Sequence, residues 1–258
     1  MTTNCSPLLR MRTGVCSIRR GVEAVIKAPL TPSYTILMAK TGQHGKAVTL
    51  LSEIQRHMER KMALTLAKNQ TISLEKTAGT GLKKVSMGLG WDPEKASGFF
   101  GKLLGGGGGD IDLDASCIML DADKKPLDLV WFRQLQSRDG AIQHSGDNRT
   151  GEGAGDDETI SVDLEKLPAA VKYLVFTVNS FTGQNFEKVA NAYCRIVDLG
   201  SRNELGRFDL SEKGQHTGVV MSYLARTPSG WDFTAVGQVT NGRTADDLVE
   251  LAIGAVRV

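Results

Sequence analysis

The chain has few cysteines and no long apolar run, and both features limit the classes of protein to which it can belong. Its 258 residues include four cysteines, with no Cys-x-x-Cys pair and no histidine at the spacing of a zinc ligand. This pattern argues against a disulfide framework or a zinc module and predicts buried thiols in a reducing compartment. No apolar stretch reaches the roughly 18 residues that cross a bilayer. The body of the chain also lacks the basic, aromatic-rich patch of a nucleic-acid binder.

The net charge of +2 is small, but it is unevenly distributed. Residues 1–61 carry ten Lys and Arg and three acids, a net of +7, which leaves −5 for the rest of the chain. Residues 1–45 lack periodicity, and a helix is predicted only over 47–61. We interpret 1–61 as a largely unstructured extension or a non-native leader, with a targeting or membrane-surface tail as the alternative. The folded domain is expected over 62–258.

Beyond Met62 the chain alternates apolar and polar residues in short runs, which is typical of half-buried strands. Gly, Asn and Asp turns separate these runs, and long helical patterns are rare. The predicted fold class is therefore all-β, an antiparallel β-sandwich with one or two short helices. The helices are expected over 186–191 and 245–253. The strands are expected over 63–66, 71–74, 85–91, 112–120, 127–132, 159–164, 173–179, 192–198, 205–209, 218–226 and 231–238.

The segment from Gly146 to Glu158 is rich in acids and glycine. Five of its thirteen residues are acidic and four are glycine. Crowded carboxylates repel one another unless a cation lies among them, and glycines let the backbone bend so that several oxygens converge. Oxygen ligands on a flexible loop suit a hard divalent cation, with Ca²⁺ the first choice. The acids are Asp147, Glu152, Asp156, Asp157 and Glu158.

A second acidic cluster precedes this loop. Asp110, Asp112 and Asp114 alternate with apolar residues, so a strand would place the three carboxylates on one face. An EF-hand is rejected because Ala115 stands where that loop needs a glycine, and because the residues that follow are typical of a strand. Alone, this cluster could equally be a solvated strand face. Together the two clusters predict one or two Ca²⁺ ions where their loops meet.

Several motifs carry a resemblance to a known family. In chain order they are Gly-Leu-Gly-Trp-Asp at 88–92, Asp-Leu-Asp-Ala-Ser at 112–116, His-Ser-Gly-Asp-Asn-Arg-Thr-Gly-Glu-Gly at 144–153 and Gly-Asp-Asp-Glu at 155–158. Together they resemble the TerD family of tellurium-resistance and general stress proteins, over about 64–250. Three further motifs, which begin at Val130, Thr177 and Trp231, are more narrowly similar to the TerZ branch.

The resemblance implies a cytoplasmic bacterial β-sandwich that binds Ca²⁺ and acts in stress response and tellurite resistance, with no established catalytic reaction. Its expected partners are calcium and either other tellurium-resistance proteins or a membrane-associated complex, with the inner membrane face as an alternative location. The expected metal residues are Asp112, Asp114, Asp147, Asn148, Glu152, Asp156, Asp157 and Glu158, joined by Asp110 from its cluster. Ala154 stands where the family usually has aspartate, which removes one carboxylate from the loop.

Two other functions remain open from the residues alone. A bound ion could bridge the protein to an anionic partner such as a lipid headgroup, a nucleotide or another protein. Trp131 and Phe181 could line such a site, although aromatic residues in strands are usually core residues. The carboxylates could instead hold the two ions of a phosphoester hydrolase, with His144 as general base. The sequence offers no nucleophile or apolar substrate pocket in evident combination with them, so a non-enzymatic function is favoured.

Overall fold

The structure is a computed structural model that describes most of the chain beyond residue 63. The chain divides into two compact units, Met1–Arg60 and Lys61–Val258. In the first unit only the backbone of three strands is described, and the helix expected over 47–61 lies outside the described residues. In the second unit the described residues are 64–79, 81–93, 112–148 and 155–257.

The described backbone of the first unit forms a small antiparallel sheet. Its strands, in spatial and chain order, are β1 (Cys16–Ile18), β2 (Val22–Lys27) and β3 (Thr35–Met38). The β-branched residues of β2 and β3 favour this extended backbone. The sequence analysis found no periodicity over 1–45 and did not predict these strands. β1 and β3 have only three and four residues, and in β2 the alternation of apolar and polar residues is interrupted at Val25.

The described residues of the second unit form two antiparallel sheets. The first sheet has six strands in the order β4-β14-β13-β10-β6-β7, and the second has five in the order β12-β11-β5-β9-β8. The strands are β4 (Thr71–Ser73), β5 (Lys84–Pro93), β6 (Leu113–Leu120), β7 (Pro126–Val130), β8 (Ile142–His144), β9 (Glu158–Asp163), β10 (Tyr173–Ser180), β11 (Val189–Asp198), β12 (Glu204–Asp209), β13 (Gly218–Thr227) and β14 (Gly230–Thr240).

The facing sides of the two sheets form a single hydrophobic core. Met87 on β5 and Ile160 on β9 belong to the five-stranded sheet, and Phe176 on β10 and Phe233 on β14 belong to the six-stranded sheet. All four side chains have no solvent exposure. Burial of large apolar side chains at about 1.5–3 kcal/mol each is the main force that holds the two sheets together. The predicted antiparallel β-sandwich is confirmed.

Strand β6 is buried on both faces. Leu113 and Cys117 point into the core between the sheets, whereas Ile118 points to the opposite face and packs in a second cluster with Ala252. Because side chains alternate along a strand, Asp114 lies on the same outer face as Ile118. Asp114 is thus only 4% exposed, although it is a carboxylate.

The described helices are short, and the last of them packs Ala252 and Ala255 against the outer face of the six-stranded sheet. They are α1 (Leu74–Ala78) and α2 (Val249–Ala255), with 3-10 turns at Phe186–Lys188 and Asp246–Leu248. None of the helices in the described part of the chain is long and apolar enough to cross a membrane.

The helix expected over 245–253 is present as the 3-10 turn at Asp246–Leu248 followed by α2, which ends two residues later than expected. The helix expected over 186–191 ends after one turn because strand β11 begins at Val189. The sequence analysis missed α1 and β8, which have five and three residues. Elements of this length show too few repeats of their period to be recognised. The strand expected over 63–66 is also shorter than expected, with Thr65 forming an isolated parallel bridge to Arg207.

Candidate metal centre

The site is built where strand β6 extends past its neighbour β7. The pairing of these strands ends at Val130 opposite Cys117, which leaves the edge of β6 open at Ala115. Side chains from the other sheet fill this edge. The Ala115 N–H donates to Glu158 Oε2 at 2.8 Å, and His144 Nε2 lies 3.1 Å from the Ala115 carbonyl oxygen. A carboxylate and an imidazole therefore take the place of a neighbouring strand.

The surroundings of His144 define its tautomer. The Gly146 N–H donates to His144 Nδ1 at 3.0 Å, so Nδ1 accepts and the proton must lie on Nε2. From there it donates to the Ala115 carbonyl, with Glu158 Oε2 3.4 Å away. The side chain is fully buried, and both ring nitrogens are engaged. This arrangement gives the hydrolase hypothesis no support, because no ring nitrogen is available to a substrate.

Three carboxylates converge beside His144 and Glu158. Asp112, Asp114 and Asp147 each place one oxygen within 4.8 Å of the other two, the only such group among the described residues. Asp114 is buried, Asp112 is half-buried and Asp147 is exposed. The group therefore runs from solvent into the edge of the sandwich, and we call it the acidic triad.

Asp114 lies in an environment that disfavours its charge. Burial, together with the nearby carboxylates of Glu158, Asp112 and Asp147, raises the pKa of Asp114 to about 7. Its Oδ2 atom is buried and accepts no hydrogen bond from the described residues. A cation bound at the triad would give this oxygen a partner and offset the repulsion among the three carboxylates.

Asn148 and Asp157 connect the loop to strand β5 and to Glu158. The Asn148 N–H donates to Glu158 Oε1 at 3.0 Å, and its side-chain amide donates to Asp157 Oδ1 at 3.3 Å. Asp157 Oδ2 accepts the Trp91 N–H at 2.8 Å. Burial raises the pKa of Asp157, and the hydrogen bond from Trp91 opposes that shift. Asn148 therefore follows Asp147 of the triad directly, whereas Asp157 is hydrogen-bonded to strand β5.

Asp156 has a different set of partners from the triad. Its carboxylate accepts two hydrogen bonds from Arg195, from Nε to Oδ1 at 2.7 Å and from Nη2 to Oδ2 at 3.0 Å. The Tyr193 hydroxyl donates to Oδ1 at 3.0 Å, and Arg195 also binds Glu204. The structure thus brings this predicted metal residue to an arginine on strand β11. Two other predicted residues, Asp110 and Glu152, lie outside the described residues.

Two glycines of strand β5 provide the space that this ion pair needs. A Cβ atom on Gly88 would overlap the Asp156 carboxylate, and one on Gly90 would overlap the Tyr193 ring. Both side chains lie flat against the β5 backbone for that reason. The sequence analysis used the Gly-Leu-Gly motif only as a family marker. Nothing local to the motif reveals that its neighbours come from β11 and from the acidic loop.

A strip of buried polar oxygens extends from the triad along the outer face of β6 and β10. Asp114 pairs with Asn179, and Ser116 pairs with Thr177. Asn179 Oδ1, Ser116 Oγ and Thr177 Oγ1 are buried and have no hydrogen-bond partner among the described residues. The sequence analysis did not include these residues in the site. The available signal was a run of polar residues at alternate positions within strands that are otherwise apolar.

Comparison with known proteins places the chain in a family. Residues 62–252 match the TerD domain, and the chain belongs to the TerD family. It is 52% identical over 193 residues to the tellurium resistance protein TerZ of Serratia marcescens, covering 75% of this chain and 98% of that protein. It is 43% identical to the stress response protein SCP2 of Bacillus subtilis (strain 168), covering 73% and 98% respectively. These relatives are named as resistance or stress proteins and not as enzymes.

A solved structure supports the fold independently. The crystal structure of a homologue of the telluride resistance protein TerD from Streptomyces coelicolor A3(2) superposes with a TM-score of 0.53. The match covers 67% of this chain and 98% of the homologue. At 23% identity the likeness shows the shared fold alone.

Proposed function

We propose that this protein is a Ca²⁺-binding stress-response protein that takes part in tellurite resistance in the bacterial cytoplasm and catalyses no reaction. Membership of the TerD family and the names of its relatives support the physiological role. The acidic triad supports the binding activity. In this proposal the ion fastens the acidic loop to the edge of the sandwich.

The observation that carries the proposal is the buried Asp114 carboxylate. A carboxylate with little exposure is normally paired, yet two further acids lie within 4.8 Å of it. No Lys or Arg is hydrogen-bonded to Asp114 in the described residues, and its Oδ2 lacks a partner. Three negative groups at this spacing repel one another strongly in a partly dry site. A divalent cation removes that repulsion most directly.

The chemistry of the donors favours Ca²⁺ over other metals. Asp112, Asp114 and Asp147 offer only oxygen, and the described site contains no cysteine sulfur. Gly146 and Gly155 flank the acidic loop with φ angles of +107° and +108°, which permit tight turns of the loop. Backbone turns of this kind suit the six to eight oxygens of Ca²⁺ better than the strict octahedron of Mg²⁺.

We propose that the triad holds one ion. The sequence analysis allowed one or two ions, and it included Asp156 among the ligands. The Asp156 carboxylate is committed to Arg195 and Tyr193, which leaves it poorly placed to serve a second ion. A second ion would therefore need ligands beyond the triad.

Replacing Asp147 with asparagine tests the proposal with the least disturbance to the fold, because this residue is exposed. Removing one of three ligand charges is expected to weaken Ca²⁺ binding by about tenfold or more. Isothermal calorimetry of the full chain, with Mg²⁺ in a parallel titration, measures the change. Asp123→Asn, in the exposed β6–β7 turn, removes the same charge elsewhere and should leave the affinity unaltered. Absence of Ca²⁺ binding by the wild type would refute the proposed function.

A second candidate function is Ca²⁺-dependent attachment to an anionic partner such as a membrane surface. Its support is an aromatic and cationic cluster in which the Arg133 guanidinium lies 5.3 Å from the Trp131 ring centre and 5.6 Å from that of Phe181. Phe181 is 37% exposed. It follows Ser180, which pairs with Leu113, so the cluster is near the triad in the strand register.

Co-sedimentation with phosphatidylserine vesicles distinguishes this candidate from a purely structural ion. If the ion and Arg133 together bind lipid phosphate, the protein should sediment with these vesicles only when Ca²⁺ is present. The Arg133→Gln variant should then bind several-fold more weakly, with unchanged calorimetric Ca²⁺ affinity. Vesicles of phosphatidylcholine alone serve as the uncharged control. Equal sedimentation with Ca²⁺ and with chelator would reject the candidate.

A further inference from the structure

We propose that Glu158 and His144 are positioning residues, which set the geometry of the acidic triad without binding the ion. The inference rests on the proposed function, because it concerns the same site. It also changes the role of Glu158, which the family resemblance grouped with the metal residues.

Glu158 connects the two chain segments that supply the triad. Its Oε2 accepts the N–H of Ala115, the residue after Asp114, at 2.8 Å. Its Oε1 accepts the N–H of Asn148, the residue after Asp147, at 3.0 Å. One carboxylate therefore holds the peptide group next to a buried ligand and the peptide group next to an exposed one. The distance between the two ligands depends on this bridge.

His144 makes a second bridge between the same two segments. Its Nε2–H donates to the Ala115 carbonyl oxygen at 3.1 Å, and its Nδ1 accepts the Gly146 N–H at 3.0 Å. Gly146 immediately precedes Asp147 and Asn148 immediately follows it. His144 and Glu158 therefore hydrogen-bond to the backbone on both sides of that ligand. Both side chains are completely buried, which keeps water from competing for these bonds.

The directions of the Glu158 hydrogen bonds argue against a place among the ligands. Each of its oxygens already accepts a backbone N–H, and neither belongs to the group of oxygens within 4.8 Å of one another. Residues that orient metal ligands typically change metal affinity by about 10–100-fold when they are replaced. Glu158 is expected to act in this way, through Asp114 and Asp147.

The Glu158→Gln variant separates the two roles. Glutamine keeps the shape of glutamate but presents an NH₂ group to one of the two backbone N–H groups, so one of the tethers is lost. Ca²⁺ affinity is expected to fall by about 10–100-fold. Tb³⁺ bound in place of Ca²⁺ reports its coordinated waters through the difference between luminescence decay in H₂O and in D₂O. That number should stay at the wild-type value, because no ligand has been removed.

Two comparison variants calibrate this experiment. Asp147→Ala removes a ligand of the triad and should raise the number of waters on Tb³⁺ by about one. Glu165→Gln removes the same charge as Glu158→Gln just beyond the far end of β9, where the Glu165 side chain is 58% exposed. It should leave both affinity and hydration unaltered. An additional water in Glu158→Gln would make Glu158 a ligand, and an unchanged affinity would give it no role; either result overturns the inference.

Variants of His144 decide the question if Glu158→Gln does not fold. Glutamine at position 144 can still offer an N–H to the Ala115 carbonyl, whereas phenylalanine cannot. The expected order of Ca²⁺ affinity is wild type, His144→Gln and then His144→Phe, with unchanged hydration of Tb³⁺ and melting in chelator as a check of folding. Equal affinity of the two variants would contradict a positioning role. Failure of the wild type to bind Ca²⁺ or Tb³⁺ would instead reject the proposed function itself.

Discussion

Replacing Asp114 with asparagine is expected to stabilise the protein in chelator and to abolish most of its stabilisation by Ca²⁺. The two effects have one cause. Without an ion, the ionised Asp114 is buried among other carboxylates, and an uncharged isostere removes that repulsion. With an ion, the same carboxylate is the most buried ligand of the triad, and its loss weakens binding. A substitution that raises stability in chelator and at the same time removes the increment due to Ca²⁺ is specific to a metal ligand.

The expected magnitudes are large enough to measure. The pKa of Asp114 is about 7, against an ordinary value near 3.9. At about 1.4 kcal/mol per pKa unit, the gain for Asp114→Asn in chelator above pH 7 is on the order of 2–4 kcal/mol. The stabilisation that is lost in Ca²⁺ is about 2.7 kcal/mol when the ion is 100-fold above its Kd. Thermal melts in Ca²⁺ and in chelator measure both.

The same pKa fixes the direction of the pH dependence. The folded-state pKa of Asp114 is raised above its unfolded value, so its protonated form contributes stability that is fully present below about pH 4 and is lost as pH rises to about 7. In chelator, the melting temperature of the wild type should therefore fall relative to that of Asp114→Asn between pH 5 and pH 8. Parallel pH profiles of the two proteins would contradict this description of Asp114.

Replacing Asp156 with asparagine is expected to destabilise the protein equally in Ca²⁺ and in chelator. Asp156 receives two hydrogen bonds from Arg195 and one from Tyr193. Breaking a fully buried ion pair costs about 3–5 kcal/mol, and partial exposure of Arg195 reduces the expected value to about 2 kcal/mol. Urea denaturation in the two conditions measures the loss. The increment due to Ca²⁺ should remain at its wild-type value.

A double-mutant cycle with Arg195→Met identifies the partner. If the two side chains act mainly on each other, the double variant should be much less destabilised than the sum of the single variants. If Asp156→Asn instead abolished the stability increment due to Ca²⁺, as Asp114→Asn is expected to do, Asp156 would be a metal ligand. The pair of aspartates therefore separates metal ligation from structural ion pairing within a single loop.

The sequence could predict the sandwich because its strands are long enough for alternation to be visible. It also placed Asp112 and Asp114 on one face, and an oxygen of each lies within 4.8 Å of the other in the structure. It could not show that Arg195 lies opposite Asp156, since that contact joins residues far apart in the chain and depends on Gly88. Pairings of this kind follow from the register of β5 with β11, which local sequence does not specify.

The buried position of Glu158 could have been predicted from the alternation of residues along β9. In β9 the residues Glu158, Ile160 and Val162 are buried, whereas those between them are more exposed. Glu158 therefore lies on the inward face of the strand with Ile160 and Val162. A metal ligand on an open loop would not be expected in that position. The sequence analysis began this strand one residue later and assigned Glu158 to the loop. His144 has the same inward position as Ile142 in β8, a strand too short to be recognised from sequence.

The most direct test of the account is a crystal structure of the full chain grown with Ca²⁺. We expect one ion bound to carboxylate oxygens of Asp112, Asp114 and Asp147 at about 2.3–2.6 Å. Glu158 should still accept the N–H groups of Ala115 and Asn148, and Asp156 should still bind Arg195. A triad without an ion at saturating Ca²⁺, or an ion held by Asp156 and Glu158 in its place, would contradict it.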